Sequence, residues 1–154
     1  DMYVDGESAL ALKLAPLPVD VERGRLRLFA KAIGETNPVY TDLAAARAAG
    51  YPDLPAPPSF LGNAIELDIP EPLYWMSAVG IDVTSTLHGE QSMVYHRMVF
   101  AGDSLLLHRR ITDVYTKRGG ALEFVVKRTD VMRGDDLVAE AYCTIAVLHP
   151  EAGK

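Results

Sequence analysis

The chain has 154 residues, is 49% hydrophobic and 23% charged, and carries a formal charge of −6. That length suits one domain over residues 1–154 with a continuous core, and that hydrophobic content excludes a disordered chain. The acidic balance, with no basic stripe, excludes a grip on the phosphate backbone of nucleic acid.

Alternation from Leu10 to Leu14 predicts an opening strand. Asp20 is placed to cap a helix whose apolar stripe is Leu26, Phe29, Ala30 and Ile33, with Gly34 ending it. Asp42 is placed to cap a short second helix over 43–49, which Gly50 terminates. Pro52, Pro55, Pro57 and Pro58 stiffen the next stretch, and Pro58 suits the first position of a third helix through Phe60, Leu61, Ala64 and Ile65. Beyond it the period changes to two, predicting strands over 87–98, 104–117, 121–132 and 137–148. Their connections are Ala101-Gly102-Asp103, Arg118-Gly119-Gly120 and Arg133-Gly134-Asp135-Asp136, all rich in turn formers. Four such strands make an antiparallel sheet with one apolar face, and the third helix is the obvious cover: an α+β fold.

The lone cysteine, Cys143, excludes an intrachain disulfide framework and falls in an apolar strand run, which reads as a buried structural thiol. No His, Cys or carboxylate spacing matches a metal site, and no glycine-rich phosphate loop follows a strand. Neither a metal nor a nucleotide cofactor is expected. His96 and His108 stand singly in strand patterns, and His149, close to the end, is expected in solvent. No apolar run approaches the ~20 residues that a membrane helix needs. The start Asp1-Met2-Tyr3-Val4-Asp5 lacks the basic and apolar regions of a secretory leader, so a cytoplasmic protein without a membrane anchor is expected.

The stretch Leu28-Phe29-Ala30-Lys31-Ala32-Ile33-Gly34-Glu35-Thr36-Asn37-Pro38-Val39-Tyr40-Thr41-Asp42 resembles the N-terminal signature of MaoC-like dehydratases. Ala44 to Ala46, Gly50-Tyr51-Pro52 and Ala56-Pro57-Pro58-Ser59-Phe60 continue it. Leu87-His88-Gly89-Glu90-Gln91, Tyr95-His96-Arg97 and Ala101-Gly102-Asp103 are similar to the same family's sheet region, so the ordered motifs span residues 10–148. The resemblance implies a hot-dog fold, a curved antiparallel sheet wrapped around a central helix. It also implies an enoyl-thioester hydratase or 3-hydroxyacyl-thioester dehydratase, acting on acyl-CoA or an acyl-carrier-protein thioester. Such chains pair, here as a homodimer or as a heterodimer with a catalytic MaoC-like subunit.

Catalytic members of the family carry Asp-x-Asn-Pro-apolar-His, whereas this chain has Glu35-Thr36-Asn37-Pro38-Val39-Tyr40. Hydration requires a base for water, an acid for the α-carbon and donors for the enolate-like oxygen. The resemblance assigns Glu35 and Tyr40 to the acid/base positions. It assigns Asn37, with Pro58, Ser59 and Phe60 at the start of the third helix, to the thioester, Ser59 and Phe60 supplying N–H donors. A histidine titrates near neutrality, but a tyrosine with pKa ~10 does not replace it as a base. Glutamate in place of aspartate moves the carboxylate by about one bond length, a scale to which catalytic geometry is sensitive. Read from the residues alone, Asn37-Pro38 equally suits a plain turn and Tyr40 a packed phenol. His88 and Glu90, two apart on a strand, are expected on one face as a second His–carboxylate pair. Three functions stay open: a hydratase/dehydratase, active itself or as half of a heterodimer; a non-catalytic acyl-binding partner; and a thioesterase in which Glu35 or Glu66 activates water.

Overall fold

The computed structural model describes residues 3–153. The chain opens on a short helix, α1 (Gly6–Ala11), not on a strand. Asp5 decides this, because its side chain accepts hydrogen bonds from the N–H groups of Glu7 and Ser8, two of the donors that a helix start leaves unpaired. Strand β1 (Leu17–Asp20) follows, then helix α2 (Arg23–Ala32). Asp20 therefore closes a strand, and Glu22 occupies the cap position expected for it.

Helix α2 ends where glycine permits a left-handed residue. Gly34 has φ +73°, its N–H donates to Lys31 O at 3.2 Å, and the Glu35 N–H donates to Ala30 O at 2.9 Å. This paired closure pins the backbone of Glu35. The same closure ends α3 (Leu43–Ala48), which Asp42 caps through the Ala44 N–H, with Gly50 at φ +92°.

Among the described residues five strands form one antiparallel sheet in the order β1-β3-β4-β5-β2. Strands β3 (Ser104–Lys117), β4 (Leu122–Arg133) and β5 (Asp136–Leu148) are the meander that their glycine turns dictate. Strand β2 (Thr86–Tyr95) pairs with β5 and not with β3, so it becomes an edge, exposed along most of its length. The intervening residues carry Val99 and Ala101 into the core and bridge Phe100 to Pro55.

The expected third helix is the largest departure. In its place stand two 3-10 turns, Pro58–Leu61 and Asn63–Glu66, separated by Gly62 at ψ −133°. A Cβ on Gly62 would lie 3.2 Å from both Gln91 Nε2 and Ser59 O, so the chain presses on β2 at the point where it breaks. Phe60, Leu61 and Ile65 still enter the core, which divides into two clusters. One contains Leu26, Leu54, Phe60, Ile65, Leu107 and Val131, and the other contains Trp75, Met76, Ile111, Val125, Cys143 and Ile145. Short helix α4 (Tyr74–Ser77) supplies Trp75 and Met76. No helix among the described residues is long and apolar enough to cross a membrane.

An ion pair ties the start of α2 to the loop ahead of Pro55, with Arg23 Nη2 2.7 Å from Asp53 Oδ2. The hydrogen bond from Arg23 is the main reason that the Asp53 carboxyl is lowered from 3.8 to about 2. A depressed folded-state pKa contributes stability that is present above the ordinary carboxylate value and is lost as pH falls towards 2. Asp53→Asn should accordingly lower the urea midpoint at pH 7 and flatten its decline between about pH 4 and pH 2. An unchanged acid limb in the variant would mean that the pair contributes nothing.

Candidate active site

The motif at residues 35–40 folds back on itself. With its backbone fixed by the closure of α2, Glu35 turns Oε1 to accept the Asn37 N–H at 2.9 Å. Asn37 Oδ1 accepts the Val39 N–H at 3.2 Å, capping the 3-10 turn Pro38–Tyr40. The side chains of Glu35 and Asn37 are thus engaged in holding the turn. Tyr40 is half-buried and lines a cleft of about 380 Å³ with Ala56, Pro58, Leu61 and residues 95–99. Burial first, and the nearby negative charge of Glu35 second, push its phenol above the ordinary tyrosine value. That direction is opposite to what a base at neutral pH requires.

Of the three residues expected at the start of the third helix, only Pro58 reaches this cleft. The Phe60 N–H donates to Pro57 O at 2.9 Å, and its ring is 2% exposed, edge-on to Phe29 at 5.6 Å between centroids. Ser59 is exposed, and its carbonyl accepts the Gly62 N–H at 3.1 Å. A four-residue 3-10 turn lacks the aligned dipoles of a long helix, so the expected carbonyl-polarising helix start is not built here.

His88 and Glu90 do not share a face. Gly89 is an extra residue in β2, so His88 stands opposite Ile145 and Glu90 opposite the next residue, Thr144. The bulge puts His88 on the core face with Gln91, whose Oε1 lies 3.2 Å from His88 Nε2. Glu90 faces the other side and is exposed.

A His–carboxylate pair does occur at the edge of the cleft, where His96 lines it and Glu140 lies outside its lining. His96 Nε2 lies 2.8 Å from Glu140 Oε2. The His96 hydrogen bond is the largest of the effects that hold the Glu140 carboxyl below its ordinary value, assisted by Tyr142 and by Arg128, whose Nη2 is 2.6 Å away. Residues 96 and 140 are far apart in sequence. Only the β2–β5 pairing, with Val94 opposite Glu140, brings them together. Two further residues are placed differently from expectation: His149 is buried, 3.1 Å from Glu123 Oε1, and Glu66 lies in the interior against Lys127. Cys143 is buried, as its apolar run implies.

A sheet of this topology, crossed by short turns and flanked by an Asn-Pro turn at a cleft, defines a hot-dog protein of the MaoC-like type. The chain belongs to the family described as FAS1-like, dehydratase domain region, whose model matches residues 8–141. A UPF0336 protein of Parafrankia sp. (strain EAN1pec) is 38% identical over 130 residues, 84% of each chain. One from Streptomyces coelicolor is 37% identical over 102 residues, 66% of this chain and 67% of its own. Among solved structures, the C-terminally truncated HadBC (3R-hydroxyacyl-ACP dehydratase) complex of Mycobacterium tuberculosis superposes with TM-score 0.69 and 30% identity, covering 85% of this chain and 91% of that one. The ChsH1–ChsH2 complex of the same organism gives TM-score 0.71 and 26% identity, covering 96% and 98%.

Proposed function

We propose that this chain is the acyl-binding subunit of an enoyl-thioester hydratase/3-hydroxyacyl-thioester dehydratase. Its partner is a MaoC-like subunit carrying intact Asp-x-Asn-Pro-apolar-His. The observation that carries the reading is the state of the motif: Glu35 caps the Asn37 N–H, and the phenol of Tyr40 is moved away from neutrality. The mostly apolar cleft at Tyr40 and Pro58 receives the acyl thioester, on CoA or on a carrier protein. Two similar structures, HadBC and ChsH1–ChsH2, are complexes of two kinds of subunit, which supports a heterodimer here. The open edge of β2 is the surface for pairing. One observation favours a second reading, in which the chain is active by itself: His96, which lines the same cleft, is hydrogen-bonded to Glu140 behind it, as a general base is to an orienting carboxylate.

Hydration of crotonyl-CoA separates the two. The pure chain is expected to bind the thioester and to turn over at background, and mixing with the cognate subunit should raise the rate about 10²–10⁴-fold, the usual contribution of a proper acid/base pair. Comparable turnover by the pure chain would overturn the partner reading. Loss of that turnover in His96→Ala but not in Glu35→Gln would then assign it to the His96–Glu140 pair.

A further inference from the structure

A polar seam runs between the two halves of the core. On the core face of the sheet Arg109 stands opposite Thr129, and Ile111 opposite Lys127. Glu66, at the end of the second 3-10 turn, meets them. Lys127 Nζ is 2.9 Å from Glu66 Oε2, Thr129 Oγ1 donates to Glu66 Oε1 at 3.2 Å, and Arg109 Nη1 is 3.8 Å from the same carboxylate. The side chains of Lys127, Glu66 and Arg109 are only 4%, 5% and 10% exposed. Among the described residues this cluster sets two cations against one carboxylate, and the buried Arg109 Nε has no hydrogen-bond partner. Buried charge is tolerated where it is paired, so the seam is short of one negative charge and of acceptor atoms.

The seam opens into a pocket of about 200 Å³ that shares no lining residue with the Tyr40 cleft. Lys127 and Glu66 form its polar end and His88 part of its wall, while Leu73, Trp75 and Ile145 make the rest apolar. Lys127 has three donors, of which one serves Glu66, and its Nζ lies 4.9 Å from the centre of the Trp75 ring. Arg109 lies behind this pocket and does not line it, so an anionic head is selected by the Lys127 donors that Glu66 does not take, with the cluster's second cation behind them. Apolar walls select an aliphatic body, and a volume below the ~300 Å³ of ordinary drug-sized sites limits it to a short one.

We propose that this pocket binds a small aliphatic monocarboxylate, its head on Lys127 and its chain against Leu73, Trp75 and Ile145. The proposal does not rest on the thioester reading, because its residues are separate from that cleft.

Trp75 is the only tryptophan in the chain, so its emission reports occupancy directly. The full chain is titrated with hexanoate, hexanol and inorganic phosphate, with calorimetry in parallel. Hexanoate is expected to give a saturable response, with hexanol and phosphate roughly tenfold weaker or more, since a charge-assisted hydrogen bond is about twice as strong as a neutral one and phosphate has no chain for the apolar wall. Lys127→Met, which keeps the side chain's bulk, should weaken hexanoate roughly tenfold, and Glu66→Gln, which removes the competing carboxylate, should tighten it roughly threefold. No saturable response to hexanoate, equal affinity for hexanol or phosphate, or full affinity in Lys127→Met would each overturn the proposal. If Lys127→Met does not fold, Glu66→Gln decides, and unchanged or weaker binding there overturns it.

Discussion

Phe60→Ala is expected to lower the unfolding free energy by about 3–5 kcal/mol, the range for emptying a fully buried aromatic site. The ring is 2% exposed, meets Phe29 edge-on at 5.6 Å, and lies 5.3 Å from the guanidinium of Arg25. It sits on the first of two short turns that replace a continuous helix, so little backbone hydrogen bonding is present to hold that segment in its absence. Neighbouring Leu26, Leu54 and Ile65 are also fully buried and belong to the same cluster, which limits collapse around the void. Urea denaturation at neutral pH measures the loss, and Phe60→Leu should recover most of it because the volume change is smaller. A loss below about 1 kcal/mol in the alanine variant would mean that Phe60 does not anchor this segment, and would reopen the contact with an acyl group that its motif suggests.

The parts of the fold that were legible are those fixed by neighbouring residues. Gly34 and Gly50 end α2 and α3 because each needs only a positive φ and carbonyls one turn back. The three long hairpin strands follow from alternation and from the glycines between them. The parts that were not legible depend on what lies alongside. Gly62 breaks the expected helix where the chain meets Gln91 and Met93 of β2, a contact invisible in the local pattern. The bulge at Gly89 separates His88 from Glu90, and period-two counting cannot detect an added residue. The His96–Glu140 pair exists only because β2 crosses to β5 in place of pairing with β3.

The seam illustrates the same limit within one strand. In β4 the residues from Leu122 to Arg133 place polar side chains on both phases of the alternation, Lys127 and Thr129 on one, Arg128 and Asp130 on the other. Alternation alone does not say which phase is buried. The burial of Lys127 and Thr129 follows from Glu66, which arrives from 61 and 63 residues earlier and accepts from both. A carboxylate considered from sequence only as a hydrolytic base is therefore the counter-charge of an interior ion pair, each of its oxygens accepting one hydrogen bond.

Restoring aspartate and histidine to the motif is the direct test of whether residues 35 and 40 still occupy acid/base positions. Glu35→Asp with Tyr40→His, made together, is expected to raise crotonyl-CoA hydration by the pure chain roughly tenfold or more, below the upper end of the ~10²–10⁴-fold that general acid–base help provides. Tyr40 already lines the cleft, so an imidazole there meets the same space as the phenol, and its ordinary pKa of ~6.5 lies near neutrality, whereas the phenol is pushed above the ordinary tyrosine value. The shorter aspartate draws the carboxylate back by about one bond, towards the spacing that an imidazole five residues on requires. Either substitution alone should give less than its share, because the two groups act as a unit on one water. The rate should rise with pH through about 6–7 as the new imidazole loses its proton and becomes a base. The substitutions leave the groups around the pair as they are, which keeps the gain below the upper limit. A double variant that keeps the wild-type urea midpoint and binds acyl-CoA, yet hydrates no faster, would show that the turn at residues 35–40 holds structure alone, and would shift the search for a base to His96 and Glu140.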